Sequence, residues 1–214
     1  MNVLVEACVT TVDEARAAEG AGAHRLELCR DLSVDGLSPS AALVGLVLEV
    51  VAIPVFVMIR PRAGGFVYTS TEVEEMLAEI QTLAAAGAAG VVCGLLAAAG
   101  RVDAANTRRL VEAARPLPVT FHRAFDQADD QLRALEAVAE AGVTRILTGG
   151  GPGRAIDQAD RLAELVRMAG DSVTVLAGGG VRGDHVADLI ARTGATEVHA
   201  RAAGIPGIVQ ALRG

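Results

Sequence analysis

AGVTRILT, residues 141–148, joins the end of one predicted helix to a short apolar strand through a single glycine. Three further stretches have the same order of helix end, glycine suited to a left-handed cap, and strand: AGAHRLEL at 21–28, AGAAGVVC at 86–93 and TGATEVHA at 193–200. Their glycines follow one another at intervals of 65, 55 and 52 residues. The spacing predicts a chain built from repeated helix and strand units.

Four more strand starts fall between these stretches: VLVEAC at 3–8, PVFVMIR at 54–60, PVTFHRAF at 118–125 and SVTVLAGGG at 172–180. The segments between strands have helical apolar periodicity, and several begin with Ser, Thr or Asp residues able to cap a helix. Eight β-then-α units predict the α/β class and a single parallel (β/α)8 TIM barrel spanning residues 1–214. An open, doubly wound sheet is the alternative, but eight evenly spaced strands favour closure.

Composition excludes several classes of function. The net charge is −7 and no basic run occurs, which argues against a nucleic-acid surface. All 19 cationic residues are arginine, so Schiff-base aldolase and pyridoxal-phosphate chemistry lack the lysine that they need. No apolar segment is long and uninterrupted enough to predict a membrane span or a signal peptide.

The three cysteines, Cys8, Cys29 and Cys93, form no C-x-x-C cluster, which argues against a disulfide scaffold or a structural zinc site. Reduced thiols of this kind favour a cytoplasmic protein.

Two neighbouring strands carry an unusual polar face. Glu6 and Cys8 share one face of the first strand, and Arg25, Glu27 and Cys29 share one face of the second. Because both cysteines end adjacent strands, their sulfurs are expected to approach each other. Two thiolates suit a soft ion such as Cu(I), although the spacing alone leaves metal binding, catalysis and simple packing open.

Other candidate groups lie where strands are predicted to end. Arg60 and Arg62, beside Gly64 and Gly65, form a plausible clamp for an anion. His122 at a strand end suits an acid, a base or a ligand. The glycine-rich turns at 147–153 and 176–183 either cradle phosphate or only permit tight turns. The second turn contains G-x-G-x-x-G, but too few residues follow it for a nucleotide-binding fold, so no nucleotide cofactor is predicted.

The succession VEAC, GAHRLELC, IRPRAGGFVY, TFHRAFD, RILTGG and EVHA resembles the CutC family, named for copper homeostasis, over nearly the whole chain. The resemblance implies a TIM barrel, a cytoplasmic location, and a homodimer or higher homo-oligomer. It implies Cys8 and Cys29 as copper ligands. Two departures stand out: Ala63-Gly64-Gly65-Phe66 lacks the acidic residue usual before the phenylalanine, and the C-terminal unit after EVHA is shortened.

Two functions are therefore predicted. The first is participation in copper homeostasis, with Cu(I) bound by cysteine thiolates at the C-terminal rim of the barrel. The alternative is a TIM-barrel enzyme of lyase, isomerase or hydrolase type that acts on a small anionic metabolite, phosphorylated or not; no reaction is assigned. Its acid, base or other catalytic candidates are His122, Glu27, Glu6 and Asp126. Its substrate-binding candidates are Arg25, Arg60, Arg62, Arg123, Thr148, Gly178, Gly179 and His199.

Overall fold

The computed structural model describes residues 3–213, which contain eight strands. The strands are β1 (Leu4–Val9), β2 (Arg25–Leu28), β3 (Val55–Met58), β4 (Gly90–Cys93), β5 (Val119–Phe121), β6 (Arg145–Thr148), β7 (Thr174–Gly178) and β8 (Glu197–Arg201). They pair in parallel in chain order, and β8 pairs with β1 to close a barrel. The predicted parallel (β/α)8 barrel is thus confirmed.

One α-helix follows each strand. The helices are α1 (Val12–Gly20), α2 (Ala41–Val50), α3 (Ser70–Ala86), α4 (Ala104–Ala114), α5 (Gln131–Glu140), α6 (Ala159–Ala169), α7 (Val186–Thr193) and α8 (Ile205–Arg213). Short 3-10 helices occupy Leu32–Val34, Ala98–Gly100, Arg123–Gln127, Ala155–Gln158 and Ala202–Gly204. The eighth unit keeps its helix, and α8 has 9 residues, as many as α1.

Local sequence explains the helix ends. Thr69 caps α3 in a capping box: its side chain accepts from the Glu72 N–H, and the Glu72 carboxylate accepts from the Thr69 N–H. Gly87 ends α3 in the left-handed region with φ 94°, and Gly194 ends α7 with φ 69°. A side chain other than glycine would be strained at these two caps. These two glycines therefore turn the chain from the outer helix back to the barrel before β4 and β8.

The apolar core lies mainly between the outer face of the barrel and the helices. The interior of the barrel holds a smaller apolar cluster made of Cys8, Cys29, Phe56, Met58 and Val92. Buried charged residues occupy much of the remaining interior, among them Glu6, Arg25 and Glu197. The inside of this barrel is therefore partly polar, which is costly unless its charges are paired. Among the described residues, no helix is long and apolar enough to cross a membrane.

Candidate functional site

A cavity of about 790 Å³ opens at the carboxyl ends of the strands. Active sites of (β/α)8 barrels lie at this end, where the loops after the strands meet. Its walls contain thiol, carboxyl, imidazole and guanidinium groups, from Cys8, Glu27, Arg60, His122, Asp126, Arg182, His199 and Arg201 among others. Polar groups that converge in one cavity of this size indicate a ligand site.

A layer of ion pairs lies below the cavity. Arg25 donates to the carboxylates of Glu6 and Glu197, the latter at 2.6 Å. Arg145 also donates to Glu197, at 2.7 Å. The guanidinium carbons of Arg25 and Arg145 lie 5.0 and 5.4 Å from the centre of the Phe56 ring. Glu6 and Arg25 are thus engaged with the protein itself and do not line the cavity.

His199 connects this layer to the cavity. Its Nδ1 lies 2.9 Å from Glu6 Oε1, and its Nε2 lies 3.5 Å from Glu27 Oε2. Burial alone would raise the pKa of Glu6, but the hydrogen bond to His199 and the charge of Arg25 lower it to about 2. Burial raises the pKa of Glu27. The carboxyl groups of Glu27 and Glu6 raise the pKa of His199 against the opposing effect of burial. Because the pKa values of both Glu27 and His199 are raised, a proton is held readily by one of these two groups.

The two predicted metal ligands meet as expected. The sulfurs of Cys8 and Cys29 are 3.6 Å apart, and both side chains are buried free thiols. Ligand atoms of Cys8, Glu27 and His199 also lie within 4.8 Å of one another. The hydrogen bond with Cys29 and burial raise the pKa of Cys8 well above its usual value. Cys8 therefore belongs to two groups: a pair of sulfurs with Cys29, and a cluster of possible ligand atoms with Glu27 and His199.

His122 is held as a neutral ring. The Ala124 N–H donates to its Nδ1 at 3.1 Å, which places the remaining proton on Nε2. Burial, with the charge of Arg60, lowers the pKa of His122 to about 3. The Nε2 atom of His122 and the Oε1 atom of Glu27 are buried and have no hydrogen-bond partner within residues 3–213. The Nε of Arg60, which also lines the cavity, is likewise buried without a partner. Among the described residues, the cavity wall thus presents two unused side-chain donors and one unused acceptor.

Arg60 and Arg62 do not converge on one point. Arg60 donates to the carbonyls of Val34, Gly36 and Gly64, and so fixes the loops after β2 and β3. Arg62 pairs with Glu72 on α3 and does not line the cavity. The sequence places these arginines two residues apart, but their side chains bind different parts of the protein.

Arg123 and Asp126 form an ion pair at 2.7 Å at the cavity rim. Asp126 also accepts from the Thr148 hydroxyl and from the Gly149 N–H. These bonds engage Asp126 and Thr148 in holding the loop after β6, and Thr148 does not line the cavity. Of the two glycines predicted to bind substrate, Gly179 lines the cavity, whereas Gly178 packs beside Leu147.

Sequence reasoning did not select Arg182 and Arg201, which both line the cavity. A signal was present for each. Arg201 lies two residues after His199 on β8 and thus on the same face. Arg182 directly follows the glycine-rich turn after β7. Arg145, which completes the ion-pair layer, was also missed, since an arginine that opens an apolar strand resembles an ordinary surface residue.

Comparison with known proteins gives consistent matches. The model of the CutC family matches residues 3–204. The chain is 41% identical over 199 residues to a family protein CutC of Photobacterium profundum, covering 93% of this chain and 81% of that protein. It is also 41% identical over 199 residues to the human copper homeostasis protein cutC homolog, covering 93% and 73%.

Solved structures agree with the fold. A crystal structure from Streptococcus agalactiae, described as a copper homeostasis protein CutC, has a TM-score of 0.86 and 30% identity, and covers 92% of this chain and 97% of that one. An aldolase named QR15 has a TM-score of 0.73 but 16% identity, and covers 99% and 95%. The aldolase shares only the barrel fold with this chain.

Proposed function

The chain belongs to the CutC family, and from this membership we propose that it takes part in copper homeostasis by binding Cu(I) through Cys8 and Cys29. The observation that carries the proposal is the 3.6 Å separation of the two sulfurs. Metal–sulfur bonds are about 2.3 Å long in zinc thiolate sites. Two sulfurs at this separation can therefore both contact one ion of similar bond length.

The donor set fits copper in its reduced state. Thiolates are soft ligands that select Cu(I) over the hard ions Mg and Ca. Cys8 lines the cavity while Cys29 is fully buried, so an ion reaches the pair from the Cys8 side. Burial of both sulfurs also shields the ion from solvent. His199 supplies a nitrogen near Cys8 for a third bond, whereas the carboxylate of Glu27 is a poor match for a soft ion.

Competition for Cu(I) against a chromophoric chelator, under reducing conditions, tests the proposal. Cys8→Ala combined with Cys29→Ala should abolish high-affinity binding. Cys93→Ala is the matched control because Cys93 is also a buried free thiol, and burial raises its pKa to about 12. Cu(I) binding by the double variant equal to that of the parent would refute ligation by the pair. Loss of binding in the Cys93 variant alone would place the site elsewhere.

We also propose a cytoplasmic location, which the three free thiols support because reducing compartments keep cysteines unpaired. Assembly into a homodimer or a higher homo-oligomer stays a prediction. Light scattering coupled to size-exclusion chromatography would test it: a mass of 21.9 kDa, that of one chain, would contradict assembly.

A further inference from the structure

We infer that the cavity binds a small phosphate monoester, whose phosphate is held by the loops after β7 and β8 through Arg182, Arg201 and backbone N–H groups. The same cavity is lined by Cys8, whose backbone pairs with that of Arg201, but the inference does not depend on copper binding. Phosphate sites of (β/α)8 barrels frequently lie between the loops after the seventh and eighth strands and a short extra helix. Here the 3-10 helix Ala202–Gly204 stands at that place, and Gly204 lines the cavity.

The loop after β7 is held in a fixed position. A Cβ at Gly183 would lie 2.4 Å from the carbonyl oxygen of Gly207, so only glycine lets this loop pack against α8. Gly179 and Gly180 have φ values of 111° and 67°, which turn the backbone sharply at the cavity. The N–H groups of Gly180 and Val181 have no protein acceptor within residues 3–213. A rigid loop with unused N–H groups favours an anion.

The cationic side chains of this region are also available. Within the described part of the chain, the guanidinium groups of Arg182 and Arg201 have no carboxylate in ion-pair contact. Arg123 leans over the same loop, with its Cζ 3.5 Å from the position that a Cβ of Gly179 would occupy. Its Nε is paired with Asp126, which leaves its terminal nitrogens available. Two unpaired positive charges match the charge of about −1.5 to −2 that a phosphate monoester carries near neutral pH.

The rest of the cavity indicates an ester and not free phosphate. About 790 Å³ is much more space than one phosphate group fills, and lies within the range of small-molecule sites. The wall also holds the unused Nε2–H donor of His122 and the unused Oε1 acceptor of Glu27. Buried polar atoms normally have partners. An organic part that carries hydroxyl or carbonyl oxygens would supply them.

Calorimetric titration with glycerol 3-phosphate, at constant ionic strength, tests this inference on the whole chain. Arg182→Gln combined with Arg201→Gln should weaken binding about tenfold or more, as expected when charge-assisted hydrogen bonds are lost. The control is Arg133→Gln combined with Arg192→Gln, which removes the same charge from exposed ion pairs on α5 and α7. The control should change the affinity by less than about twofold.

Several results would overturn the inference. Absence of binding at millimolar ester is one, and equal weakening in both double variants is another, since it would indicate only long-range attraction. Binding of inorganic phosphate without binding of the ester, or binding of glycerol as tight as that of its phosphate, would also contradict it.

Discussion

Acidification should destabilise this protein through His122. The imidazole is buried beside Arg60, and its pKa is lowered to about 3. In the unfolded chain a histidine titrates near about 6.5. Below that pH the unfolded state binds a proton that the folded state rejects, so stability falls as the pH decreases from about 6.5 towards about 3.

The size of this effect follows from the two pKa values. One pH unit between them is worth about 1.4 kcal/mol, so lowering the pH from about 7 to about 5 should cost about 2 kcal/mol. The raised pKa values of His199 and Glu27 act in the opposite direction, because a raised folded pKa adds stability on acidification. The comparison therefore needs a variant that changes only His122.

His122→Asn is suited to this comparison. Asparagine does not titrate, and its side-chain oxygen can still accept from the Ala124 N–H at the start of the 3-10 helix. Urea unfolding should be followed by circular dichroism, since the chain has no tryptophan. Between about pH 7 and about pH 5 the parent should lose about 2 kcal/mol more than the variant. Equal losses, or an NMR titration of the His122 ring near about pH 6.5, would refute the reasoning.

Three further predictions concern the same region. Cu(I) affinity should fall from about pH 8 to about pH 6, because the ion must displace the proton that the raised pKa of Cys8 retains, and chelator competition at each pH checks this. Glu6→Gln should lower the free energy of unfolding by about 3 kcal/mol, since it removes one of the two buried partners of Arg25; urea unfolding measures the loss. Gly94→Ala should cost about 1–3 kcal/mol and displace the His122 ring, because the new Cβ would lie 2.4 Å from Nδ1; unfolding and histidine NMR shifts report both effects.

Matched control variants show whether these losses of stability depend on burial of the ion pair and on close packing. Glu74→Gln breaks an exposed pair with Arg109 and should cost less than about 1 kcal/mol, so a loss as large as that of the Glu6 variant would contradict the role of burial. Gly45 lies within α2 with open space around it, so Gly45→Ala should be neutral or stabilising. If Gly94→Ala changes the free energy of unfolding as little as Gly45→Ala does, the inferred close contact between Gly94 and the His122 ring is wrong. A Cu(I) affinity that does not vary with pH would contradict ligation by Cys8.

Much of the fold was predictable because its signals are local. A glycine just after a helix, such as Gly87, can adopt the positive φ value that ends the helix. The glycine therefore marks, in the sequence alone, where the chain turns into the next strand. The approach of Cys8 to Cys29 was predictable too, because residues at the ends of adjacent parallel strands must be neighbours. Both inferences use periodicity and strand order, which the sequence contains directly.

The partners of the arginines could not be predicted in the same way. Arg25 bonds to Glu197, 172 positions away, and Arg60 bonds to carbonyls of a loop that follows a different strand. A guanidinium group reaches far and accepts many partners. The partner that a guanidinium group binds depends on which loops fold over it. No pattern within a few residues of the arginine encodes this partner. This is why the sequence predicts an anion clamp made of Arg60 and Arg62, whereas in the structure the two side chains bind different parts of the protein.

The division between supporting and ligand-binding groups follows from how completely each charge is paired. Glu6 and Glu197 balance Arg25 and Arg145, so the layer below the cavity has no net charge and no evident need for a ligand. Rigid neutral layers of this kind fix the groups above them, here His199 through Glu6. Within residues 3–213, the buried side-chain atoms that line the cavity and have no partner belong to His122, Glu27 and Arg60, and the loop after β7 adds unused N–H groups. Buried polar groups cost free energy when they stay unpaired, so a site that keeps several of them is better suited to binding a ligand than to stabilising the fold.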